Sequence, residues 1–127
     1  MRPVQAVLVI AGLLTVASAL AELFAPAWFF DNIGPYPPYN RHYLGDLGAF
    51  VLPLGIGLLI AARDPIRHVA LIALAAIGNL VHAANHAFDA LVQSAQLPRA
   101  AGDAASLALV GLILAGVALV VVRRSAT

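Results

Sequence analysis

Asp103 to Val122 reads DAASLALVGLILAGVALVVV, a run whose only charge is the aspartate that opens it. At 1.5 Å per residue, such a run of about 20 residues spans the roughly 30 Å hydrocarbon core of a bilayer as one helix. Three other stretches share its character: Val4 to Phe24, Leu44 to Ala62 and Ile66 to Val92. None alternates polar and apolar residues as a barrel strand does, and a backbone in hydrocarbon must satisfy its own donors and acceptors. The sequence therefore predicts an all-α membrane protein, a single four-helix transmembrane bundle over residues 1–127.

Composition agrees. Hydrophobic residues make up 62% of the 127 and charged residues 10%, against about 45–50% and about 25% in soluble domains. That leaves too little polar surface to face water. A formal charge of +1 and the absence of lysine argue against nucleic acid as a partner and leave the lipid bilayer as the first one. With no cysteine, thiolate catalysis, iron–sulfur clusters and thiol metal sites are excluded. Met1-Arg2 and the small residues Ala17-Ser18-Ala19 have the look of a secretory leader, but the apolar run to Phe24 has the length of a span, and the expectation is that it stays.

The connections differ in kind. Arg63-Asp64-Pro65 reads as a tight turn with Pro65 opening the third helix, and Leu97-Pro98-Arg99 with Gly102 marks the last connection. Residues 25–43 carry Pro26, Trp28, Pro35, Tyr36, Pro37, Pro38 and Tyr39. So many prolines rule out a continuous helix, and the aromatics suit the headgroup level, so this loop is expected to cap the outer face. With the N-terminus cytoplasmic, Arg2, Arg63, Arg67, Arg123 and Arg124 fall inside and only Arg41 and Arg99 outside. That bias predicts both termini inside a multi-pass protein of the cytoplasmic membrane.

The acids run the other way. Glu22, Asp31, Asp46, Asp89 and Asp103 gather toward the outer side, opposite two arginines. Aspartate at a helix centre costs roughly 2.5–3.5 kcal/mol, which pairing or coordination usually offsets. On the third helix Asn79, His82, His86, Asp89 and Gln93 fall within an arc of about 80°. His82 and His86 have the one-turn spacing of two imidazoles that share a metal. His42 and Asp46 repeat that spacing on the second helix. Thr15, Ser18 and Glu22 form a polar stripe on the first, and Glu22, Asp46, His86 and Asp103 come out at heights of roughly 10–14 Å above the midplane.

The chemistry this predicts is a divalent transition metal held by His42, Asp46, His82 and His86, with Glu22 and Asp89 as proton-handling carboxylates of a small metalloenzyme acting on a lipid-soluble substrate. Zinc, iron, manganese and copper all suit a mixed nitrogen and oxygen set. Haem is disfavoured, since His82 and His86 project from one helix face and cannot take opposite axial positions. Against this stand plainer readings. Helix-to-helix hydrogen bonds account for single histidines, and Asp103 reads as a helix N-terminal residue. A second function class follows from them: a noncatalytic accessory or assembly subunit of a larger membrane complex, or a homo-oligomer. No serine-nucleophile motif, phosphate loop or nucleotide fingerprint is present.

Pro37-Pro38-Tyr39-Asn40-Arg41-His42-Tyr43-Leu44-Gly45-Asp46-Leu47-Gly48 resembles a Pro-Tyr-Asn-x-His-x3-Asp-x-Gly motif of small uncharacterised four-helix bacterial membrane proteins. The resemblance implies a four-helix fold with a histidine-bearing third helix and brings no activity with it. The histidine and aspartate pairs are also similar to those of seven-helix membrane hydrolases with an intramembrane zinc, from which this chain departs in helix number.

Overall fold

Each apolar run forms a helix, and three of the four are longer than the run that announces them. The computed structural model describes residues 1–92 and 97–125. Its helices are α1 (Arg2–Phe24), α2 (Pro26–Asn32), α3 (Arg41–Arg63), α4 (Val69–Val92) and α5 (Leu97–Ser125), with no strand among the described residues. Four of them are long and apolar enough to cross a membrane. The outward surface suits hydrocarbon: Phe24 is 80% exposed, Phe50 79% and Leu91 84%. In water, apolar exposure on this scale would drive association.

Two boundaries depart from expectation. Pro65 does not open the third long helix, which begins at Val69. Asp64 Oδ1 accepts the Arg67 N–H at 3.1 Å and the Asp64 carbonyl accepts the His68 N–H at 3.2 Å. These bonds hold Asp64 to His68 in an Asx-type turn that competes with helix. The last helix starts at Leu97, ahead of the expected Asp103. Proline at the second position is no obstacle there, because the first N–H groups of a helix have no intrahelical acceptor to lose.

The chain forms two compact units, Met1–Arg63 and Asp64–Thr127. In the first, α1 and α3 run antiparallel with their backbones in close approach. A Cβ added at Gly55 would lie 2.9 Å from the Val16 amide nitrogen and 3.1 Å from the Gly12 carbonyl oxygen. Small residues permit this, and close van der Waals packing is what draws helices together in lipid. At the far end Gln5 Nε2 donates to the Ala62 carbonyl at 3.1 Å. The proline-rich cap contains one short helix, α2, whose Phe29 is buried and lies against Gly34, with Phe30 and Tyr39 meeting edge to face at 5.3 Å.

In the second unit α4 and α5 are also antiparallel. A Cβ at Gly111 would meet Leu80 Cδ2 at 2.8 Å and the Leu80 nitrogen at 3.2 Å, which fixes the register. Ile72, Ala75, Ala76, Ala83 and Ala90 of α4 are buried, as are Ala100, Gly111, Leu114 and Val121 of α5.

Substituting Gly55 with alanine pushes a methyl group into backbone. It is expected to lower stability by about 1–3 kcal/mol, the usual cost of overpacking. Gly116→Ala, where nothing lies within 4 Å, is expected to be tolerated. Thermal unfolding of both variants in detergent micelles checks this, and equal midpoints would refute the close seam.

Candidate functional site

Helix geometry alone brings His82 and His86 onto one flank of α4, and alanines at 83, 84 and 87 leave the rings room to turn toward each other. Their Nε2 atoms lie 3.1 Å apart, with ring centroids at 4.8 Å and planes inclined by 34°. Both are half-buried. One neutral imidazole can donate to the other at that distance. The same distance suits a chelate, since two nitrogens each about 2.0–2.1 Å from a tetrahedral metal stand about 3.3 Å apart. Asp103, on α5, is half-buried. Asn79, on the same stripe, turns back to its own helix and donates to the Ala75 carbonyl at 2.9 Å. Asp89 is half-buried on α4, and Gln93 lies outside the described residues.

The first unit holds the other pair. His42 Nε2 and Asp46 Oδ2 are 3.4 Å apart on the first two turns of α3, with side chains 87% and 60% exposed. An ion pair so open to its surroundings contributes at most about 1 kcal/mol. Asn40 begins the helix. Its Oδ1 accepts the Tyr43 N–H at 3.1 Å and its carbonyl accepts the Leu44 N–H, the pattern of an N-cap. Tyr39, one residue ahead of this cap, meets Phe30 edge to face.

Glu22 differs from both pairs. It is 4% exposed, the one buried charged or polar residue among those described. Ser18 Oγ donates to its Oε1 at 3.3 Å, while Oε2 is buried with no hydrogen-bond partner. Gly48 makes this seat: a Cβ there would come within 2.8 Å of the Ala19 carbonyl oxygen and 3.0 Å of Glu22 Cβ. Thr15, the third member of the expected stripe, donates to the Ala11 carbonyl at 2.8 Å. Leaving an acceptor dry and unpaired costs about 1–3 kcal/mol.

Of the four expected metal ligands, the structure joins His42 to Asp46 and His82 to His86, one pair in each unit. Among the described residues, no three histidine, aspartate or glutamate side chains come together at metal-ligating reach. The short motif at the head of α3 acquires a physical reading. Asn40 caps, His42 and Asp46 pair, and Gly48 admits Glu22. Sequence reasoning did not single out Asn40 as a cap, although an asparagine just ahead of a helix is the usual signal for one.

Compared with known proteins, residues 2–127 match the sequence profile of a family of unknown function, DUF6632. No curated protein and no solved structure matches the chain.

Glu22→Leu removes the unpaired oxygen from a dry seam, and Ser18 can then turn its hydroxyl to its own helix. The variant is expected to unfold at a higher temperature than wild type, by about 1 kcal/mol or more of stability. A lower midpoint would mean that Oε2 is partnered in the native protein.

Proposed function

The chain belongs to DUF6632, a family of unknown function, and on the chemistry of its own side chains we propose that it is a multi-pass protein of the cytoplasmic membrane, both termini inside, that binds a divalent transition metal through His82 and His86. The observation that carries this is the 3.1 Å separation of the two Nε2 atoms. A bite of this size favours bent coordination at about the tetrahedral or right angle, where zinc, iron, manganese and copper are all at home. Two imidazoles leave coordination positions open for water or a substrate group. Asp89, two turns beyond His82 on the same face of α4, is the carboxylate of this reading that handles a proton. His42 and Asp46, exposed at the head of α3, form a second pair with a claim on the same class of ion. It is a weaker claim, because water competes freely there. An enzymatic role would take a lipid-soluble substrate.

A second reading rests on the same distance. A hydrogen bond between His82 and His86, together with the self-satisfied Asn79 of α4 and Thr15 of α1, describes helices in which these polar groups need no ion. Such a chain would serve as a noncatalytic subunit of a larger membrane complex, or as a homo-oligomer.

Elemental analysis of the purified chain separates the two. The metal reading expects about one transition metal ion per chain. It also expects His82→Ala and His86→Ala each to weaken binding by more than about tenfold, since even outer partners of a ligand cost about 10–100-fold. Metal-free wild type that copurifies with a fixed partner would turn the conclusion to the second reading.

A further inference from the structure

Glu22 is the only glutamate in the chain and takes no part in the metal reading. It stands two residues from the end of α1, where the proline-rich cap begins, and meets α3 at Gly48. Burial is close to complete: the residue is 4% exposed, and Ala19 on α1 and Leu44 and Gly48 on α3 are buried as well.

These surroundings do not suit a charge. An ionised carboxylate offers about four lone-pair sites, and a hydroxyl that serves it is drawn in to about 2.5–2.7 Å. Here Ser18 Oγ stands off at 3.3 Å from Oε1, and the buried Oε2 has no partner. No cation is buried beside it among the described residues. In this unit Arg2, Arg41 and Arg63 are exposed, and His42, exposed too, is paired with Asp46. Tyr43 and Asp46 on α3 and Asp31 on α2 are likewise exposed, while in the cap Tyr39 meets Phe30 and Tyr36 is half-buried. A dry seat without a counter-charge accepts the neutral acid far more readily than the anion.

We propose that Glu22 is a proton-binding site in the seam between α1 and α3: it holds a proton on Oε2 while the helices are closed on it, and loss of that proton opens the seam at its cap end. The proton belongs on Oε2 because Oε1 already accepts from Ser18. Ionisation leaves a charge that the seat cannot solvate, and the carboxylate reaches water only if α1 and α3 part at Gly48. Elsewhere the hairpin is held separately, by Gln5 on the Ala62 carbonyl and by the close approach of Gly12 and Gly55. The movement is therefore confined to the cap end. No metal is involved, so the site stands independently of the histidine pair.

The single glutamate makes a direct test practical. The purified full chain in detergent micelles is prepared with glutamate isotopically labelled at its side-chain carboxyl carbon, and the resonance of that carbon distinguishes acid from carboxylate. Glutamine amides that acquire the label do not titrate. At about pH 6, where a glutamate in water is ionised, wild type is expected to give the acid signal together with Overhauser contacts between Glu22 and Gly48. At about pH 9 the carboxylate signal should replace it and those contacts should be lost. In Glu22→Gln, whose amide cannot ionise, the contacts between position 22 and Gly48 should persist at both pH values. A carboxylate signal at about pH 6 overturns the proton site. An acid signal that persists at about pH 9, or contacts that survive once the carboxylate appears, overturns the opening. The wild-type titration decides these outcomes even if Glu22→Gln fails to fold, and none of them bears on metal binding by His82 and His86.

Discussion

A peptide group in hydrocarbon has no water to turn to, and a chain with this composition must therefore close its backbone hydrogen bonds within helices before anything else is decided. Once the helices exist, burial of apolar surface no longer distinguishes inside from outside, since lipid is as apolar as leucine. What remains is closeness of fit. In the first unit this is visible where Gly12 and Gly55 let two backbones approach until an added Cβ would touch main-chain atoms. The second unit uses Gly111 against Leu80 and a stripe of alanines for the same purpose. These contacts fix register, and register decides which polar side chains share a height.

The same constraint acts on the side chains. Thr15 bonds Ala11, Ser18 bonds Glu22, Asn79 bonds Ala75, His42 meets Asp46 and His82 meets His86, every one a single turn along its own helix. A polar group settled in this way can enter the bilayer without waiting for a partner helix. Glu22 and Gln5 do not follow the rule fully: Glu22 keeps one oxygen unpaired in a seat made by Gly48, and Gln5 bonds a carbonyl of the neighbouring helix.

The four long helices were legible because apolar length is a property of consecutive residues, and so were the pairs His42–Asp46 and His82–His86, because one helical turn sets their distance. Helix starts were harder. Pro65 is compatible with the first turn of a helix, yet Asp64 captures the following amides in a turn. Pro98 suggested a connection although a helix accepts proline near its N-terminus. The short α2 was hidden among prolines, which forbid a long helix without forbidding two turns. The register of α5 on α4 depends on one glycine contact between helices, Gly111 on Leu80, which local spacing does not supply.

The bond from Gln5 to the Ala62 carbonyl has a bearing on how the first unit is completed. The final carbonyls of any helix lack an intrahelical donor, and at the end of α3 one of them is met by a side chain 57 positions earlier in the chain. That bond can form only after α3 has come back alongside α1. It works as a latch on the finished hairpin, protecting the end of α3 from fraying.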